Sequence, residues 1–373
     1  MRPPARHHRT PPFLTLGALG LVCVACGDPQ TPRAPVLALH IPPIEAMPAS
    51  RLATMAARDE TLAAARLDGG TESPMRLRQR TRRWAAGATI KVAFRGGDAQ
   101  LHRQIAEVAA LWTVHANVGF DFGDGRRGFR TWSPNDTAYT AHVRIGFDEP
   151  GHFSCVGDES VNAACAAPGQ ASMNFERLDR GLPADWRGVV LHHFGHALGL
   201  EDGWGSADHL CDAGFRWEDE PDYVRTVDRA GQPTRDGAGR WPGIYSVLAA
   251  PPRAWNRPRV DAVLRRPPDA RAPGQGTEDP ASVMRVEHAA WMFRDDSASR
   301  CFAPRAERLS ATDEDEIAAM YPRAPAAVVA AVQRHAAALT SIRDAERLPP
   351  PIRRFVEARL AGLHAARVPA APR

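Results

Sequence analysis

Val190-Leu191-His192-His193-Phe194-Gly195-His196-Ala197-Leu198-Gly199-Leu200-Glu201-Asp202 is the stretch that decides the fold. His192 and His196 stand four residues apart and project from one face of a helix. That spacing suits two nitrogen ligands of one tetrahedral zinc. Gly199 permits a sharp turn, after which Asp202 can swing in as a third ligand. Glu201 is the alternative third ligand if the turn is shifted. Pairing His193 with His196 instead would break the Gly199 register.

Outward from this stretch the chain reads as mixed helix and strand. Pro183 suits the first turn of the histidine-bearing helix, which Trp186, Val189, Val190 and Leu191 would bury. Thr89 to Phe94 alternates apolar and polar residues, as a half-buried strand does. Asp98 can cap a helix reaching about Asn117, with Leu101, Ile105, Val108 and Trp112 on one face. Gly119 to Phe122, His142 to Phe147 and Gln170 to Phe175 are further strand candidates. The order predicts an α+β layer structure. Thr312 to Met320 reads as a short helix with an acidic first turn. Two proline-opened amphipathic helices follow, from Pro325 to Arg343 and from Pro351 to Ala366. Residues 203–280 are dominated by Pro, Arg, Gly and Asp and read as a long irregular insertion. His142, His152, His209 and His288 are expected on the surface or in loops.

The 373 residues suffice for one large domain or two modest ones with tails, and 44% apolar content supplies a sizeable core. The net charge of +4 is mild, and no basic cluster is interleaved with aromatics, which argues against a nucleic-acid partner. Arg2, Arg6 and Arg9 followed by the apolar run Phe13 to Ala25 read as a secretory signal over residues 1–26. Cys23-Val24-Ala25-Cys26-Gly27 resembles a bacterial lipobox. Lipidation at Cys26, giving membrane attachment, and plain cleavage near Ala25 both remain open. Either places the mature chain outside the cytoplasm, in the cell envelope or secreted.

Residues 27–83 are rich in Pro, Ala and Arg, with a possible helix from Ser50 to Leu67, and end in a run of arginines. They read as a flexible spacer or as a propeptide cut at that run. Four cysteines remain in the exported part: Cys155, Cys165, Cys211 and Cys301. They allow three pairings, of which Cys155 with Cys165 would close a short loop and leave Cys211 with Cys301. A four-cysteine zinc site is disfavoured because Cys-x-x-Cys knuckles are missing.

Taken together, residues 84–322 resemble a metzincin peptidase of the bacterial astacin and matrixin type. Four ordered segments carry the resemblance. They are the opening strand at Trp84 to Phe94, the segment Val143 to Phe147 with Ser154-Cys155-Val156-Gly157 and Ala171 to Asn174, the histidine helix, and Ser282-Val283-Met284. The last resembles the methionine turn beneath the metal, although Met284 also suits plain core filling. The resemblance implies a zincin fold: a twisted mixed sheet, an active-site helix and a smaller irregular C-terminal subdomain. Residues 323–373 would be a helical extension. It implies Zn²⁺ held by His192, His196 and Asp202, and a peptide or protein substrate pairing along the sheet edge.

The chain departs from that pattern at three places. The family's glutamate beside the first ligand, which moves protons to and from the metal-bound water, is His193 here. The usual third histidine is Asp202, still a legitimate zinc ligand. Arg285 and Val286 follow Met284, so that turn offers no tyrosine hydroxyl. Two functions follow: an exported zinc metallopeptidase with His193 as an atypical base, or a pseudopeptidase serving as a cell-surface binding module.

Overall fold

The computed structural model describes residues 47–64, 82–124, 128–202, 211–229, 231–251, 253–265, 279–302, 304–344 and 348–365. All belong to one compact unit, Ala38–Arg373. The signal segment, Cys26 and His209 lie outside the described residues, as do most of 27–81 and parts of the insertion.

The fold is mixed α and β around a five-stranded sheet. Its strands are β1 (Thr89–Phe94), β2 (Gly119–Asp121), β3 (Val143–Gly146), β4 (Phe153–Ser154) and β5 (Met173–Asn174). Their spatial order is β2-β1-β3-β5-β4. β1 is parallel to β2 and β3, β3 is parallel to β5, and the edge strand β4 is antiparallel to β5. Asp98 caps α2 (Ala99–Thr113) by accepting from the Leu101 N–H at 2.8 Å. The helix ends at Thr113 rather than near Asn117, because Val114 to Asn117 turn back to reach the closing segment, where the Asn117 N–H donates to the Tyr321 carbonyl.

α3 (Trp186–Leu198) carries the histidines and packs beside α2 on the sheet. Trp112 of α2 donates its indole N–H to the Leu191 carbonyl at 2.9 Å. Ile90, Val92, Phe94, Ile145 and Met173 from the strands meet Ile105, Val108, Val190, Leu191 and Phe194 from the helices in the main core. Pro183 precedes the helix instead of opening it, since the first helical residue is Trp186 after Asp185.

The insertion is not irregular throughout. β6 (Thr226–Val227) and β7 (Pro233–Thr234) form a small hairpin, and α4 (Ile244–Ala249) and α5 (Arg257–Leu264) follow. Phe215, Trp217, Ile244, Leu248, Trp255 and Val260 bury a second core with Trp291 and Phe293. One disulfide joins Cys211 to Cys301 across this core, and the other joins Cys155 to Cys165.

The closing helix α6 (Ala311–Met320) leads to a hairpin of α7 (Pro325–Arg343) and α8 (Pro350–Ala365) with its own apolar seam. Upstream of the domain, Met55 of α1 (Ala49–Ala64) and Met47 just before it pack on the Cys155–Cys165 loop. Arg51 of α1 pairs with Glu149 at 3.2 Å, so this part of the 27–83 segment is docked on the domain. Among the described residues no helix is long and apolar enough to cross a membrane.

Candidate metal centre

α3 ends as its sequence dictates. Gly199 adopts φ 102°, a left-handed conformation that glycine enters without a Cβ penalty. The Leu200 N–H then reaches back to the Gly195 carbonyl at 3.0 Å, a Schellman-type closure. This turn sends Glu201 and Asp202 back toward the helix face that bears the histidines.

His192 and His196 each have one ring nitrogen fixed by a backbone carbonyl. His192 Nδ1 lies 2.7 Å from the Val283 oxygen, and His196 Nδ1 lies 2.9 Å from the Leu200 oxygen. A carbonyl only accepts, so both Nδ1 atoms carry the hydrogen, and in the neutral rings both Nε2 atoms present lone pairs. Those Nε2 atoms face each other at 3.0 Å. Asp202 Oδ1 stands 3.5 Å from His192 Nε2 and 3.3 Å from His196 Nε2. Three potential ligand atoms thus converge on one point. Asp202 Oδ1 is itself out of water and accepts no hydrogen bond among the described residues.

The donor set fits zinc. Ligand bonds of about 2.0–2.2 Å in a tetrahedron imply ligand-to-ligand edges of about 3.3–3.6 Å, which the two Asp202 separations match and the 3.0 Å histidine separation falls slightly below. The carbonyls on both Nδ1 atoms are the outer partners that fix the tautomer of metal-binding histidines.

Ser282-Val283-Met284 sits directly beneath. A Cβ at Gly195 would lie 2.2 Å from Met284 Sδ, so the glycine between the two histidines makes room for the methionine. Asp313 ties this turn to α6. Its carboxylate accepts from Ser282 Oγ at 2.5 Å, from the Val283 N–H at 3.0 Å and from the Ser310 N–H at 2.9 Å. Sequence reasoning passed over Asp313, although Ser310-Ala311-Thr312-Asp313 is a capping-box pattern that marks it.

His193 is in the same cluster. A ring nitrogen of His193 lies within 4.8 Å of the ligand atoms of His192 and His196. Its ring centroid is 5.8 Å from Phe175 and 6.0 Å from His152. The expectation that His152 is a surface or loop histidine is corrected here: it is 3% exposed. It immediately precedes β4, and that strand packs against α3. His142 and His288 are half-buried, and the His142 ring accepts from the Lys91 N–H at 3.0 Å.

No other described side chain replaces the missing tyrosine of the turn. The Tyr321 hydroxyl is buried at the end of α3, donating to the Leu198 carbonyl at 2.5 Å and accepting from the Trp84 N–H at 3.2 Å. Burial pushes its pKa up. Tyr245 donates to Asp261 in the second core. Arg285 turns away to the Cys301 carbonyl.

The antiparallel edge strand, the histidine helix ended by a left-handed glycine and the methionine beneath it are now all in place. They match the arrangement that the resemblance to metzincins implies for the fold. No family model matches the chain, and no curated protein matches it. Among solved structures it is similar to two of myroilysin, each 22% identical. They cover 65% and 68% of this chain and 87% of theirs, with TM-scores of 0.40 and 0.41. High choriolytic enzyme 1, a hatching enzyme zinc-protease from the medaka fish Oryzias latipes, is 14% identical. It covers 65% of this chain and 94% of that one, with a TM-score of 0.32.

Proposed function

We propose that the chain is an exported zinc metallopeptidase whose metal is held by His192, His196 and Asp202. The observation that carries the reading is the convergence of His192 Nε2, His196 Nε2 and Asp202 Oδ1 at 3.0 to 3.5 Å. Bound zinc supplies a Lewis acid and lowers the pKa of a bound water. Val283 and Leu200 orient the two imidazoles through their carbonyls. Asp202 adds the negative charge that a third histidine would lack. His193 stands where a proton acceptor is needed, and an imidazole nitrogen can take a proton near neutral pH. β4, at the sheet edge beside α3, offers backbone groups with which an extended peptide can pair. The two disulfides suit an oxidising, extracytoplasmic compartment. Export runs through the N-terminal signal, with either lipidation at Cys26 or cleavage near Ala25.

One observation favours a second reading, a pseudopeptidase that binds without cutting. An imidazole replaces the carboxylate base, and general acid–base help of this kind is worth about 10²–10⁴-fold. The test compares parent, His192→Ala and His193→Glu for zinc content and for hydrolysis of a peptide library. The peptidase reading expects zinc-dependent cleavage in the parent that disappears in His192→Ala and rises in His193→Glu. Zinc retained with no cleavage in parent or His193→Glu rejects it for the pseudopeptidase.

A further inference from the structure

Arg82 lies at the end of the arginine run, and the fold treats it unlike a spacer residue. It is 8% exposed. Its backbone is threaded against the 3-10 turn Gly157–Val161, where its carbonyl accepts from the Asp158 N–H at 3.1 Å. A Cβ at Gly157 would stand 1.6 Å from that carbonyl oxygen, so the turn admits the Arg82 backbone only because residue 157 has no side chain. The next two residues are fixed as well. The Arg83 carbonyl accepts from Arg359 at 3.2 Å, and Trp84 donates its indole N–H to the Ala197 carbonyl at 2.8 Å.

The Arg82 guanidinium spans two carboxylates. Its Nε is 3.0 Å from Glu159 Oε1, and its Nη1 is 3.5 Å from Glu201 Oε1. Glu201 is the residue immediately before Asp202. The chain between the left-handed turn at Gly199 and Asp202 is short, and Arg82 grips it from outside at its penultimate residue. Glu159 is also held by Arg58 of α1 at 2.6 Å.

We propose that Arg82 is a positioning residue for the metal-facing carboxylate of Asp202, acting through Glu201. The inference rests on the zinc reading above. A planar fork matches two carboxylates at once, whereas an ammonium on a flexible stem meets them as a point charge. Losing the fork removes one anchor of the Glu201 side chain and widens the range of positions Asp202 explores. The metal then loses a preorganised ligand rather than a ligand atom. Outer partners of metal ligands are typically worth about 10–100-fold in affinity.

The experiment measures zinc affinity of the full chain by chelator competition, and the visible spectrum of its Co²⁺ form, well below the melting temperature. Parent, Arg82→Met, Arg82→Lys and Arg58→Met are compared. The expected result is a zinc Kd raised about tenfold in Arg82→Met, an intermediate value in Arg82→Lys and the parent's value in Arg58→Met. An altered Co²⁺ spectrum in Arg82→Met would accompany it, and loss of stability alone would not produce that change. Parent-like affinity in Arg82→Met overturns the inference and leaves the zinc reading standing. So does an equal loss in Arg82→Met and Arg58→Met, which would mark a general weakening around Glu159. If Arg82→Met does not fold, an unchanged affinity in Arg82→Lys overturns it. A parent that binds no zinc removes the zinc reading and this inference together.

Discussion

Asp313→Ala probes the clasp that holds the methionine turn beneath the histidines. Asp313 is 2% exposed, and its carboxylate takes three donors: the Val283 and Ser310 N–H groups and the Ser282 hydroxyl. Truncation leaves the buried Val283 N–H and the part-buried Ser310 N–H without this partner, at about 1–3 kcal/mol each. The hydroxyl can rotate and water can enter the vacated space, so the expected loss is about 3–5 kcal/mol. Asp313→Asn behaves differently. Its amide oxygen still accepts both N–H groups, and its NH₂ donates to Ser282 Oγ, which has a lone pair left beside the Met284 N–H. The charge and the acceptor for the Ser282 hydroxyl hydrogen are lost, about 1–2 kcal/mol. Urea denaturation with EDTA present measures both values free of metal linkage. Val283 also supplies the carbonyl on His192 Nδ1, so Asp313→Ala should weaken zinc binding by about tenfold as well. A cost below about 1 kcal/mol for Asp313→Ala, or equal costs for the two variants, refutes the clasp.

Gly195→Ala places a Cβ 2.2 Å from Met284 Sδ and 3.0 Å from Trp112. Overpacking of about 1–3 kcal/mol should exceed the helix-propensity gain of about 1 kcal/mol, and adding Met284→Ala should relieve the clash. Thermal melts of the single and double variants check both. The Cys211–Cys301 bond spans 90 residues and Cys155–Cys165 spans 10, so loop-closure entropy assigns them about 4.6 and 2.7 kcal/mol. Cys301→Ser should therefore lower stability more than Cys165→Ser in urea melts. His142 has its pKa lowered, first by burial and then by Lys91 and Arg130. Its neutral form is favoured by folding, so that contribution is present above about pH 6.5 and is lost as the pH falls below it. His142→Gln should flatten the stability profile in that window, as read by melts of apo protein from pH 7.5 to 5.5.

The elements legible in the sequence are those whose signals are local. Thr89 to Phe94 shows its period, and Asp98 and Gly199 mark where helices begin and end. Asp202 reads as a candidate ligand because Gly199 fixes the turn that brings it back. What escaped is made by distant backbone and by scattered side chains. The Val283 carbonyl on His192 is 91 residues away and has no residue code. The second core gathers Phe215, Trp217, Trp255 and Phe293 without any period, so the Pro- and Arg-rich insertion hides it. Nothing local separates Arg82 from the arginines before it, because its partner Glu201 lies 119 residues on. His152 is buried by the packing of the sheet edge against α3, which no residue beside it announces.

The most direct measurement is zinc-edge X-ray absorption on the purified, zinc-loaded chain. Two imidazole nitrogens from His192 and His196 and a carboxylate oxygen from Asp202, at about 2.0–2.2 Å, are the predicted shell. Asp202→Ala should keep the two imidazoles and lose the carboxylate oxygen. Three imidazoles in the shell, which would bring His193 in as a ligand, would contradict the account, as would a chain that takes up no zinc.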